Sequence, residues 1–239
     1  APPPAARLVS GALVLVPLAV ALPFIGSHLA LPHDWGWRLA LGLPATALEI
    51  VSRVRDAVPA WIPVTLKMRR GIDDSPESAD RFWTILDGAF ARGVAAITVH
   101  GRTVKQKYLG PSDWEFLAAV KRHAGSRTIF GSGDLFSAAA ALSMMESTGV
   151  DGVSIARGAI GNPWIFGQAR AALAGQPVPG PPGIREQAEV LREHWALAVD
   201  LHGEALAGRQ MRKFAIKYAR LHPEWLAVRT ATTGLPPVR

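Results

Sequence analysis

Four short apolar runs in the 239-residue chain end in residues that can hold an anion. The ends are Lys67-Met68-Arg69, His100-Gly101-Arg102, Gly131-Ser132-Gly133-Asp134 and Ala156-Arg157-Gly158-Ala159. Three of the four present a cation, and the last two are glycine-rich turns leading into helices. Backbone N–H groups at such turns, with a helix N-terminus behind them, make an anion site. Each feature has a bland alternative. Lys67 can be a snorkelling strand-end residue, His100 a hydrogen-bonded structural one, and the glycine turns simply tight β–α connections. Together, at one end of consecutive strands, they point to a phosphate-bearing cofactor or substrate.

The elements that must carry these residues are regular from about Pro44. "ATALEIVSRVRDAV" has apolar residues at helical spacing and stops before Pro59. "IPVTLKMR" reads as a strand rich in β-branched residues. Ser75, Pro76 and Glu77 open a helix with a cap, a first-turn proline and an early acid. In it Phe82, Ile85, Leu86, Ala89 and Phe90 recur at helical spacing, and Gly93 ends it. "VAAITVH" is the next strand, and Ser112-x-x-Glu115 reads as a capping box for a helix ending at Gly125. "RTIFG" as strand, Ser137 to Thr148 as helix, "DGVSIA" as strand, and a helix opened by Asn162-Pro163 and reaching Ala174 complete the series.

Four successive β–α units with short, continuously apolar strands predict an α/β fold with a parallel sheet covered by helices. The spacing fits a (β/α) barrel of the TIM type, with function at the carboxyl ends of the strands, or else a doubly wound sheet. Residues 44–175 form this portion. Residues 176–183 are a Pro/Gly linker by composition, and 184–239 read as a small all-α domain with helices at Ile184 to Leu201 and Gln210 to His222. The last residues, through "TTGLPPVR", read as frayed.

A formal charge of +7 and a pI near 10.4 make a polyanion a plausible partner. The absence of cysteine rules out disulfides, cysteine-ligated metal and thiol catalysis within these residues. Residues 1–43 stand apart. Leu8 to Gly26 is almost wholly apolar after a lone Arg7, which suits a signal core, a marginal span, a buried strand pair or a non-native leader. Pro17, Pro23 and two glycines weaken a spanning helix, so a membrane is the less expected partner.

Beyond spacing, the motifs themselves carry a resemblance. "PVTLKMRRG", "ITVHGRTVKQKYLGPSDWEFL", "GSGDLF" and "TGVDGVSIARGAIGNPWIF" are similar to successive motifs of the tRNA-dihydrouridine synthase family. "MRKFAIKYAR", from Met211, resembles that family's signature in its C-terminal helical domain. The resemblance implies an FMN-dependent (β/α)8 barrel, an oxidoreductase acting on uridines in tRNA. In the family NADPH reduces the flavin, hydride passes to C6 of a flipped-out uracil, and a loop cysteine protonates C5. By motif, Lys67 matches the lysine that contacts the isoalloxazine ring, and His100 the histidine at the flavin's polar edge. Ser132, Gly133 and Asp134 match the loop that binds the ribityl phosphate, and Ala156 with Arg157 the second phosphate loop. Arg102, Gln106 and Tyr108 fall where they can shape the uridine pocket or only brace the barrel rim. Arg212, Lys213, Lys217 and Arg220, around Tyr218, give a mostly one-sided basic face suited to a tRNA backbone.

Two departures accompany the resemblance. Ser132 stands where the family often has asparagine, which is tolerable if backbone amides do the binding. The family also places four strands before the "VTLKMR" strand, with an Asn-x-Gly-Cys-Pro loop carrying the acid cysteine. Fewer than 50 residues precede Ala45, and none is cysteine. The expectation is therefore the second half-barrel, its first half missing, replaced or mistranslated, plus the helical tRNA-binding domain. No catalytic residue is assigned, no metal is expected, and the location expected of such a protein is cytoplasmic, as a monomer if the barrel is complete. Three readings follow: a dihydrouridine synthase altered at its N-terminus and inactive alone; a cysteine-less tRNA- and FMN-binding homologue or gene fragment; and a different phosphate-binding barrel enzyme. The helical tail and the "HGRT" block weigh against the third.

Overall fold

A computed structural model describes residues 43–225, 227 and 228 of the chain. The expectations for the apolar run at Leu8 to Gly26 and for the terminal "TTGLPPVR" lie outside the described residues. The elements run α1 (Pro44–Ala57), β1 (Thr65–Arg69), α2 (Pro76–Ala91), β2 (Ala96–His100), α3 (Trp114–Ala124), β3 (Thr128–Ser132), α4 (Ala138–Thr148) and β4 (Gly152–Val153). A 3-10 turn (Arg157–Ala159), α5 (Ile165–Leu173), α6 (Ile184–His202), α7 (Glu204–Tyr218) and a second 3-10 turn (Ala219–Leu221) follow.

The described chain divides into two compact units. The first runs through Gly133 and takes in Ser143–Ser154; the second comprises Asp134–Leu142 and the described residues from Ile155. α5 thus groups with the helical pair α6 and α7 rather than with the sheet.

The first unit holds a four-stranded parallel sheet in the order β1-β2-β3-β4. β2 is its centre: Ala96, Ile97 and Val99 are buried, as expected of a strand covered on both faces. The register aligns Arg69 with His100 and His100 with Ser132, so the strand ends form one row. Lys67, Thr98, Phe130 and Gly152 form the row two residues below.

α2 forms as its sequence dictates. Ser75 caps it, its hydroxyl accepting from the Ser78 N–H at 3.2 Å, with Pro76 and Glu77 in the first turn. Phe82, Leu86 and Ala89 make its buried stripe. α1 packs across α2 where Leu48 lies against Gly88; a Cβ there would come within 2.5 Å of Leu48 Cδ1. At the amino ends of the strands, Lys121 Nζ donates to Asp151 Oδ2 at 2.7 Å and to the Gly125 carbonyl at 2.9 Å. Asp151 also accepts from the Ile129 N–H at 2.8 Å, so one ion pair ties α3 to β3.

Four sequence expectations need correction. The Ser112–Glu115 capping box does not form: Asp113 caps α3, accepting from the Phe116 N–H at 2.9 Å, and Ser112 turns inward and is buried. The strand expected over "DGVSIA" pairs only at Gly152 and Val153, with one further bond from the Ser154 N–H to the Gly131 carbonyl at 2.8 Å. Ala156, at φ −115° and ψ −80°, has left the extended region, so the ladder cannot continue. α5 begins at Ile165, after a turn in which the Asn162 carbonyl accepts from the Ile165 N–H. α7 starts at Glu204, six residues earlier than expected, because Gly203 alone separates it from α6 and Gly208 is accommodated within it.

The reassigned cap has a direct check. Asp113→Ala should cost about 1 kcal/mol of stability in urea titration and speed hydrogen exchange at the Phe116 amide. Ser112→Ala should leave that amide's protection unchanged, and the reverse pattern would restore Ser112 as the cap.

Candidate functional site

In the first unit the strand ends converge through one hydroxyl. Lys67 Nζ donates to Ser132 Oγ at 3.5 Å, and Ser132 Oγ donates to the Ser154 carbonyl at 3.2 Å. Ser132 thereby links β1, β3 and the residue after β4, and it is only 3% exposed. Lys67 as a whole is exposed, but its ammonium reaches among these buried groups. Desolvation there, and then repulsion from Arg69 on the same strand face, hold its pKa below the ordinary lysine range.

His100 is oriented by its own turn. Its Nδ1 accepts from the Arg102 backbone N–H at 3.2 Å, which puts the proton of the neutral ring on Nε2. Beneath it, Ser112 Oγ donates to the Ser132 carbonyl at 3.4 Å. A Cβ at Gly133, which has φ +127°, would lie 2.2 Å from Ser112 Oγ, and one at Gly101 would lie 2.6 Å from it. The hydroxyl fills the space that these two glycines leave, so the turn after β3 closes on Ser112. Sequence reasoning missed this residue. The signal was two successive cap-competent side chains, Ser112 and Asp113, of which one helix needs only one.

The loop after β2 is held from within. Arg69 Nη1 donates to the carbonyls of Thr103 at 2.8 Å and Lys107 at 3.1 Å. Arg102, 3% exposed, donates from Nε to the Gly110 carbonyl at 3.0 Å. Gln106 Oε1 accepts from the Thr103 N–H at 2.9 Å and from Arg70 at 3.2 Å. Arg102 and Gln106 therefore act on the loop's own backbone, whereas Tyr108 and Leu109 stand exposed at its tip. Lys105 Nζ pairs with Asp73 Oδ2 at 2.7 Å, which ties the loop to the turn after β1. Hydrogen bonds from Lys105, then from Ser75, hold the Asp73 pKa at about 2.

In the second unit, Asp134 adopts a left-handed conformation with φ 58° and accepts from Arg157 Nη2 at 3.1 Å. The Arg157 guanidinium lies 5.3 Å from the centre of the Phe136 ring. A Cβ at Gly158 would lie 1.9 Å from the Leu135 carbonyl oxygen, so the segments 134–136 and 157–159 touch backbone to backbone. Ala156, before the turn, is exposed.

On α7 and the turn after it, Arg212, Lys213 and Arg220 are exposed and Lys217 is partly so. Ala207, Met211 and Tyr218 are buried on the opposite side. Arg209, one turn earlier and exposed, extends the basic stripe and escaped the sequence reading because the helix was expected to start after it. Among the described residues, none of these five cations forms an ion pair. Burial raises the Tyr218 pKa, and its hydroxyl lies 3.5 Å from His194 Nδ1. Among the described residues, no helix is long and apolar enough to cross a membrane, and no cluster of His, Asp and Glu could hold a metal ion.

The family profile described as Dihydrouridine synthase (Dus) matches residues 39–233. This chain belongs to the dihydrouridine synthase family. It is 40% identical over 185 residues to a protein named "Probable tRNA-dihydrouridine synthase" from Mycobacterium tuberculosis (strain CDC 1551 / Oshkosh), covering 76% of this chain and 46% of that protein. A protein of the same name from Rhodobacter capsulatus is 37% identical over 184 residues, or 77% of this chain and 52% of that protein. One from Rickettsia conorii (strain ATCC VR-613 / Malish 7) is 34% identical over 175 residues, or 73% and 48%. The chain spans about half the length of the curated relatives it matches. As a dihydrouridine synthase family member, it carries the family match through both units.

The rim contact makes a pH prediction. A carboxyl depressed below its unfolded value adds stability that is present above about pH 4 and is lost as pH falls toward 2. NMR titration should show Asp73 ionising near 2, and in Lys105→Met nearer the ordinary 3.8. An unchanged titration in that variant would remove Lys105 as the cause.

Proposed function

We propose that this chain is the part of a tRNA-dihydrouridine synthase that carries cofactor and tRNA contacts, in a protein that reduces the C5–C6 bond of uridine in tRNA. Its four β–α units supply half of a (β/α)8 barrel, with 184–239 as the helical tRNA-binding domain. The observation that carries the reading is the row of donors at the strand ends in a chain of this family. An ammonium, an imidazole N–H, a buried hydroxyl and a side-chain-free glycine turn are what a ring with carbonyls and an anionic reduced form requires, so the residues fit FMN. When bound, the flavin supplies a hydride obtained from NADPH or NADH.

The chain's own residues then have separable tasks. Lys67 is the cation that stabilises negative charge on the ring, and His100 presents its Nε2 proton at the ring's polar edge. Ser132 holds the strand ends together while the Gly133 turn offers backbone N–H groups. Asp134, Ala156 and Arg157 serve the cofactor phosphate. Arg102 and Gln106 fix the loop that exposes Tyr108 toward substrate. Arg212, Lys213, Lys217 and Arg220, with Arg209, contact tRNA phosphates. A tRNA substrate makes a cytoplasmic location the natural one.

The 239 residues contain no cysteine, so the family's proton donor to C5 is not supplied by this sequence. That observation favours a second reading, in which the chain binds FMN and tRNA without completing reduction. Expression in a strain lacking dihydrouridine separates the two: no restored dihydrouridine is expected from this chain alone, and its return would overturn that expectation.

Binding can be tested independently. Flavin fluorescence should titrate with the protein, and Lys67→Met should weaken FMN binding about tenfold, the order expected for one lost charge-assisted contact. Lys213→Ala and Arg212→Ala should each weaken tRNA binding and lower the log–log salt slope by about 0.7–0.9. An unchanged slope would move the RNA contact off α7.

A further inference from the structure

We propose that Asp134 is a positioning residue for Arg157. Its carboxylate fixes the guanidinium for the cofactor's phosphate and so sets the preference for FMN over the unphosphorylated flavin. This rests on the flavin reading above and deepens it.

The observations lie within the second unit. Asp134 occupies a left-handed conformation, at φ 58°, that most residues with a Cβ avoid and that glycine, asparagine and aspartate tolerate. Its ion pair with Arg157 offers little to stability in return. The two side chains are 27% and 37% exposed and meet with Nη2 3.1 Å from Oδ1. That pair's contribution to stability therefore does not account for an acid at this position.

Orientation does. The Arg157 guanidinium is placed by Asp134 at one nitrogen and by the Phe136 ring 5.3 Å away. Its backbone is fixed too, because Gly158 lies directly against the Leu135 carbonyl. A planar guanidinium held in this way suits the geometry of a phosphate. A carboxylate repels a phosphate, so Asp134 is not itself a ligand and acts through the arginine. The sign of its removal is therefore diagnostic. Losing a mere neighbouring negative charge would tighten phosphate binding, whereas losing a positioning group weakens it.

The experiment measures FMN and riboflavin affinities, by fluorescence titration, for the full chain, Asp134→Asn, Arg157→Gln and the double variant. Asparagine accepts the left-handed turn, so Asp134→Asn retains the fold and removes the charge. Asp134→Asn should weaken FMN about tenfold and leave riboflavin within about twofold, and in the Arg157→Gln background it should add nothing. Unchanged or tighter FMN binding in Asp134→Asn would overturn the proposal. So would an equal loss for both flavins, which would make Asp134 only a turn residue while leaving the flavin reading intact. If the unaltered chain bound neither flavin, both would fall.

Discussion

The in-register parallel pairing of β1, β2 and β3 is the constraint on which the strand-end chemistry depends. Pairing Arg69 with His100 and His100 with Ser132 sets three chemically different ends at one level. A slip of one residue would turn every side chain to the opposite face. Lys67 would then no longer reach Ser132, and the hydroxyl that joins β1, β3 and the residue after β4 would turn away from both partners. Burial of Ile97, Val99 and Ile129 resists the slip, since each would have to leave the packing it now makes. The core thus fixes the site without touching it.

The rim adds a second layer of order. Arg69 and Arg102 use their guanidinium groups on backbone carbonyls of the loop after β2, and Lys105 carries that loop to Asp73. Three cations that composition would count toward polyanion binding are thus engaged within the protein. The cations of α7 are different in kind: they share one side of a helix whose other side is anchored by Met211 and Tyr218. Net charge in this chain divides into a structural share and a presented share, and only geometry separates them.

What was legible in the sequence follows the strength of the local signal. α2, with cap, proline, apolar stripe and terminating glycine all in agreement, was readable to within a residue. β2 was equally plain because a doubly buried strand is apolar at almost every position. The row of strand-end residues was legible too, since parallel β–α units place successive strand ends on one side. The failures occur where two local rules compete. Ser112 and Asp113 both fit a cap, and the choice was made by a tertiary demand, the space between two glycines. "DGVSIA" has strand composition, but pairing stops where Ala156 leaves the extended region. The α6–α7 break was placed late because a single glycine, Gly203, sufficed for it. The Asp134–Arg157 pair spans 23 positions and has no periodic signature, so it is visible only in the fold.

The packing around Ser112 has a consequence for how such a sequence can drift. Gly101, Ser112 and Gly133 share one small volume, occupied by a single hydroxyl. A side chain gained at either glycine would collide with it, and a larger residue at position 112 would collide with both turns. Trimming position 112 would free neither glycine: a Cβ at Gly101 would still lie 2.5 Å from the Asp113 carbonyl oxygen, and Gly133 holds a backbone, at φ +127°, that a side chain strains. The two glycines are therefore held by the backbone as well as by the hydroxyl, so drift at position 112 can run toward a smaller residue but not toward a larger one.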